Sequence, residues 1–197
     1  MDIVFQVLIG IGLSATCGFR VFVPLFVMSI AGVSGYMEFS AGFGWIGTYP
    51  ALIIFGVATV LEIVAYFVPY VDNILDMASI PIAVVAGVVI VASVVTDVDP
   101  MIRWTLALVA GGGIAAGTSM ISNGIHALST ATTGGVANPA LSAAETGGSI
   151  VMTVLSVVIP VAGVLLIAII VFLIIRRLLR RKRKKNPPEH NTADPNH

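Results

Sequence analysis

Apolar residues dominate five stretches of the chain, at about Ile3–Val33, Pro50–Tyr70, Ala78–Thr96, Ile102–Ala127 and Ser149–Ile175. Short segments carrying acids, glycines and prolines separate them. About 20 apolar residues in a helix cross the ~30 Å hydrocarbon core of a bilayer, so each stretch is long enough to span one. The pattern predicts an all-α fold, a polytopic transmembrane helical bundle of about five spans. The first stretch exceeds one straight crossing and contains Gly10, Gly12, Gly18 and Pro24. It should therefore tilt, break near Gly18 or form two half-helices. Beyond Asn186 no apolar run remains to offset the entropy of ordering, which predicts disorder there. The expected organisation is a single transmembrane domain over 1–181 and a polar cytoplasmic tail over 182–197.

Composition and charge narrow the class. With 57% hydrophobic residues, only 10% charged and a mean hydropathy of +1.03, a soluble globular domain is excluded. Eight of the ten Lys and Arg lie in the run Arg176–Lys185. The positive-inside rule places that run in the cytoplasm; with five crossings Arg103 joins it there and the N-terminus lies outside. No basic region precedes the first stretch, so it reads as a retained segment and not as a cleaved signal. Cys17 is the only cysteine, which excludes a disulfide within the chain.

Candidate chemistry begins with two charges inside apolar stretches, Arg20 and Glu62. Each costs roughly 2.5–3.5 kcal/mol on insertion scales unless it is paired or faces water. Arg20 shares a helical face with Thr16 and Cys17, and Glu62 shares one with Thr59 and Tyr66. One reading is a midplane site that binds substrate or ion, or exchanges a proton. The other is a fixed interhelical ion pair between Arg20 and Glu62. Ser119, Asn123 and His126 fall on one face of the fourth stretch after Gly111–Gly113, fit either to bind or to glue helices together.

The segment Ser129–Glu145 is rich in Ser, Thr and Gly, and Asn138 before Pro139 predicts a capped helix start. Ser142 and Glu145 fit a capping box. The alternative is a re-entrant segment in which Thr132, Thr133, Asn138 and Glu145 meet substrate. The binding candidates are thus Arg20, Glu62, Tyr66, Asn123, His126, Thr132, Thr133, Asn138 and Glu145. Asp72 and Asp76 read as a solvated helix start and not as a cation site, and His190 and His197 as incidental tail residues. No nucleotide-binding loop, zinc-protease signature or nucleophile elbow is present, so no catalytic residue, metal or cofactor is assigned. The only basic cluster adjoins an apolar stretch and lacks interleaved aromatics, which argues against nucleic acid. Expected partners are the lipid bilayer, anionic lipid head groups at Arg176–Lys185, and a second copy of the chain in a homo-oligomer.

A weak internal repeat runs through both halves. Ile9-Gly-Ile-Gly-Leu-Ser-Ala resembles Ala110-Gly-Gly-Gly-Ile-Ala-Ala, and Pro50-Ala-Leu with Val68-Pro69 resembles Pro139-Ala-Leu with Ile159-Pro160. With the middle stretch as connector the halves would be inverted, as in many secondary transporters.

Three segments, Gly12-Leu-Ser-Ala-Thr-Cys-Gly-Phe-Arg-Val-Phe-Val-Pro24, Thr59–Tyr66 followed by Val71-Asp72, and Ser129–Pro139, resemble a bacterial membrane family, domain-of-unknown-function family 4126. The resemblance extends from the N-terminus to about Arg181. It implies a complete membrane domain in a bacterial cytoplasmic (inner) membrane, points to Arg20, Glu62 and the Gly134–Glu145 region, and implies no particular activity. The leading expectation is a small transporter or channel-like protein with a midplane polar site. The alternatives are a membrane scaffold or partner subunit with a structural Arg-Glu pair, and an enzyme that modifies lipid.

Overall fold

The computed structural model describes residues 3–66, 69–96, 98–160, 169–170, 172–173 and 176–177, with the backbone alone at 69–74, 76 and 77. The polar tail, most of the basic run with its expected lipid contacts, and the side chains of Asp72 and Asp76 lie outside that description. Among the described residues the fold is all helical: α1 (Ile3–Cys17), α2 (Phe22–Val33), a 3-10 turn (Gly44–Gly47), α3 (Tyr49–Ala65), α4 (Pro69–Val94), α5 (Pro100–Leu106), a π-helical turn (Ala107–Gly112), α6 (Gly113–Thr133) and α7 (Asn138–Val158). Two helical stretches, Pro100–Thr133 and Asn138–Val158, are long and apolar enough to cross a membrane. The other apolar helices among the described residues, Ile3–Cys17, Phe22–Val33, Tyr49–Ala65 and Ala78–Val94, are shorter, of 10–17 residues each.

The first apolar stretch breaks at Gly18–Val21, between α1 and α2. Gly18 packs against Thr118 and the amide of Ser119 so closely that a Cβ would collide with both. After the break the chain reverses. Gln6 near the start of α1 lines the same 310 Å³ pocket as Tyr36 and Met37, which follow α2. Thus α1 and α2 form a hairpin that returns to the end where it began, with Arg20 at its turn. Ser40 bonds the carbonyls of Ala92 and Ser93 at the last turn of α4, which fixes that end.

The later helices run alternately along this hairpin. Phe26 lies beside Gly56, and the amides of Val21 and Phe22 reach Glu62, so α3 descends toward the break. Ser14 donates to the carbonyl of Gly87, and Gln6 exchanges two hydrogen bonds with Thr96, so α4 ascends. Thr16 meets Thr153, and Gly12 meets Ser156 on α7.

The tightest crossing joins α4 to the π-helical turn. A Cβ on Gly87 would stand 2.5 Å from the carbonyl oxygen of Gly111, and neither backbone can yield. Gly87→Ala is expected to cost about 1–3 kcal/mol and to lower the melting temperature in detergent. Gly113→Ala, where a Cβ meets nothing within 4 Å, should leave it unchanged.

Polarity is distributed unlike that of a water-soluble bundle. Ser142, Ser149, Thr153 and Ser156 of α7 are buried, while Ile150, Val151, Val154 and Val158 are exposed. On α3, Ile53, Ile54, Val57, Val60, Leu61 and Val64 all face outward.

Ser129–Glu145 follows the first of its two readings, a helix start at Asn138, and not the re-entrant alternative: it is the end of α6, a short turn and the start of α7. Gly134 and Gly135 occupy the left-handed region, at φ +64° and +87°, where other residues are strained. Asn138 opens α7 as its first residue, with Ala137 in the capping position and no side-chain cap. The capping-box expectation fails as well, because Ser142 and Glu145 lie one to two turns inside the helix, where the amides already have helical partners. The Pro-Ala-Leu copies do open α3 and α7, each with proline in the first turn.

Candidate functional site

Arg20 is 1% exposed, the largest fully buried side chain described. The helix break exposes backbone polar groups at its position, and α7, α6 and α3 converge there. Its Nε donates to Thr146 Oγ1 at 3.0 Å, one terminal nitrogen to the Ser142 carbonyl at 3.0 Å, and the other to the Phe19 carbonyl at 3.1 Å. That last nitrogen stands 3.6 Å from Glu145 Oε2. The guanidinium also lies over the Tyr66 ring, 3.8 Å from its centroid, a cation–π geometry. A planar fork with five N–H donors suits this enclosure; a lysine ammonium would not fill it.

Glu145 gathers three groups. One carboxylate oxygen accepts from Ser122 Oγ; the other lies 3.0 Å from His126 Nε2 and faces Arg20. His126 is 1% exposed, with its ring 6.4 Å from that of Tyr66. Ser142, Glu145 and Thr146 share one face of α7, and Ser122 and His126 share one face of α6.

Glu62 takes another role. Its two oxygens accept from the backbone amides of Val21 at 2.7 Å and Phe22 at 3.0 Å, where α2 begins. A carboxylate here satisfies orphan amides of a helix N-terminus and meets the positive end of its dipole. The expected Arg20–Glu62 ion pair is therefore replaced by an Arg20–Glu145 pair, with Glu62 one residue further along the same break.

Beside the cluster lies an open cavity of about 400 Å³ between α3 and α4. Val21, Phe22, Ala58, Leu61, Ala65, Leu75, Ala78 and Ile82 give it apolar walls; Glu62, Tyr66 and Ser79 are its polar edge. Leu61 and Ile82 are 63% and 47% exposed, so the rim reaches the flank of the molecule.

Of the residues expected to bind, Arg20, Glu62, Tyr66, His126 and Glu145 come together. Asn123 sits nearby but exchanges hydrogen bonds with Ser79. Thr132, Thr133 and Asn138 do not join them. The threonines bond back to the carbonyls of Leu128 and Ser129, and Asn138 donates to Thr130, all at the exposed hairpin tip. Ser122, Ser142 and Thr146 were not anticipated as members of the cluster, although Ser122 four before His126, Ser142 three before Glu145 and Thr146 four after Ser142 carried the signal. Among the described residues no group of three or more His, Cys, Asp and Glu is placed to hold a metal ion.

Fold and cluster together define a class: among the described residues, an all-helical bundle with apolar residues outside and buried ionisable side chains gathered at a helix break. The family described as "Domain of unknown function (DUF4126)" matches residues 7–180, and the chain belongs to it. No curated protein and no solved structure matches the chain.

Proposed function

We propose that this is a small multi-pass transport protein of a bacterial cytoplasmic membrane, in which a solute or ion and a proton use the centre formed by Arg20, Glu62, His126 and Glu145. One observation carries the reading. The centre brings two carboxyl groups, one guanidinium and one imidazole together, and it adjoins an open cavity. Buried ionisable groups are costly unless paired, so a centre that opens on a cavity is suited to exchange a cation or a proton there.

The membrane setting is supported by the inverted polarity of α3 and α7, since lipid-facing side chains need no polar atoms while buried Ser and Thr hydrogen-bond between helices. Tyr36, Trp45, Tyr49 and Trp104 are all exposed at the end where α1 begins, as an aromatic belt at one bilayer interface would be. In this reading α1–α2 is a re-entrant hairpin, permitted because its broken backbone faces protein. The crossings then number about four, not five. The N-terminus shares the cytoplasmic side with Arg103 and the basic tail, toward which α7 ascends. The inverted repeat rests on the matching helix starts of α3 and α7.

The scaffold reading is favoured by one fact: all three nitrogens of Arg20 have partners. Cys17, buried at the end of α1 and the only thiol, separates the two. In native membranes a small charged impermeant thiol reagent is expected to modify Cys17 slowly from at least one side, because a transport cycle admits water to the break. Protection from both sides, with full labelling after denaturation, would leave the scaffold.

A further inference from the structure

We propose that the cavity between α3 and α4 is a binding site for a lipophilic monovalent cation, an amine or quaternary ammonium with an apolar body, and that this cation and a proton compete for Glu62. The proposal deepens the transport reading by naming the ligand class, but it concerns equilibrium binding and needs no flux.

Two observations meet at this place. The first is the wall: of its eleven lining residues, eight are apolar, and the one charged member is Glu62. Such a surface gains from covering hydrocarbon and offers a single fixed charge to orient it. The second is how Glu62 is held. Each oxygen accepts one backbone amide, and each retains a further lone pair. Arg20, the nearest guanidinium, is committed to Glu145, Ser142, Thr146 and Phe19. Glu62 is thus a buried carboxyl group held by two backbone amides and next to space. An anionic ligand would meet the Glu62 carboxylate as a like charge, and a neutral one would offer it no counter-charge. A strongly hydrated metal ion would find one carboxylate among hydrocarbon walls. A weakly hydrated organic cation satisfies both wall and charge.

The competing proton sees a defined set of groups: Arg20 and Cys17 at the break, Tyr66 at the end of α3, His126 from α6 and Glu145 from α7. From α4, Asp72 and Asp76 precede the lining residues Leu75 and Ser79 in sequence. When the ammonium enters, the neutralising proton leaves to water, so the total charge of the centre is unchanged.

The test uses the full-length protein in detergent and benzyltrimethylammonium as the probe, because a quaternary cation has no proton of its own. Its isostere neopentylbenzene has the same shape without charge. Titration calorimetry in two buffers of different ionisation enthalpy should show saturable binding of one cation per chain with release of up to one proton. Binding should then weaken by up to about tenfold for each unit of pH lowered, as linkage requires. Glu62→Gln should reduce affinity at least tenfold and abolish proton release. Ala58→Phe, which fills the cavity and leaves Glu62 in place, should also remove binding and keeps the test decisive if Glu62→Gln unfolds. Equal binding of neopentylbenzene, binding that survives both variants, cation binding without proton release, or no saturable cation binding would overturn the proposal. Absence of binding with Cys17 reactive in membranes sinks the ligand class alone; cation binding with Cys17 sealed from both sides sinks transport and leaves the ligand site standing.

Discussion

Replacing Arg20 with methionine is expected to destabilise the folded protein by about 3–5 kcal/mol, the cost of removing one partner from a buried ion pair. Methionine fills much of the stem volume, so the loss comes from what remains behind. Glu145 keeps its buried charge, and the carbonyls of Phe19 and Ser142 lose the nitrogens that reach them. Arg20→Lys restores the charge but neither the fork nor the flat face over Tyr66, and should recover only part of the loss. Combining Arg20→Met with Glu145→Leu should cost less than the sum of the single changes, because the uncompensated carboxylate is gone. Thermal and denaturant unfolding of purified protein in detergent measures all four. Equal and additive losses would show that the pair is not coupled.

The second large effect belongs to Glu62→Leu. The carboxylate closes the start of α2, and leucine would leave the amides of Val21 and Phe22 without an acceptor in an apolar surrounding. Each orphan costs about 1–3 kcal/mol. Glu62→Gln keeps one acceptor oxygen and should lose less than half as much. The damage should also be local: hydrogen exchange is expected to rise at the amides of the break and the first turn of α2 while α6 and α7 stay protected. Uniform deprotection would mean that Glu62 supports the whole bundle.

The apolar runs located most helices, and the glycines and Pro24 marked the first stretch as breakable. Arg20, Glu62, Tyr66, His126 and Glu145 stood out singly because charged and polar groups in hydrocarbon-like sequence need a reason. Their partnership was harder to read. Arg20 and Glu62 lie on adjoining apolar stretches, so pairing them was natural, whereas the pairing with Glu145 depends on α7 packing antiparallel to α1 through Thr16 and Thr153. A residue three places after Ser142 near a proline looks like half of a cap; only the extra turn of helix from Asn138 turns it inward. The direction of α2 was equally hidden. A kinked span and a hairpin have the same composition, and what separates them is the meeting of Gln6 with the segment after α2.

The hairpin also bears on the order in which the protein is made. Arg20 leaves the ribosome early, yet its hydrogen-bond acceptors on α7 follow 122 and 126 positions later. Before they arrive, the guanidinium has the neighbouring Phe19 carbonyl alone, while the open amides find Glu62 on α3. The turn of the hairpin is therefore complete only once α7 has packed against it. A helix far along the chain thus closes a centre that an early helix break opens.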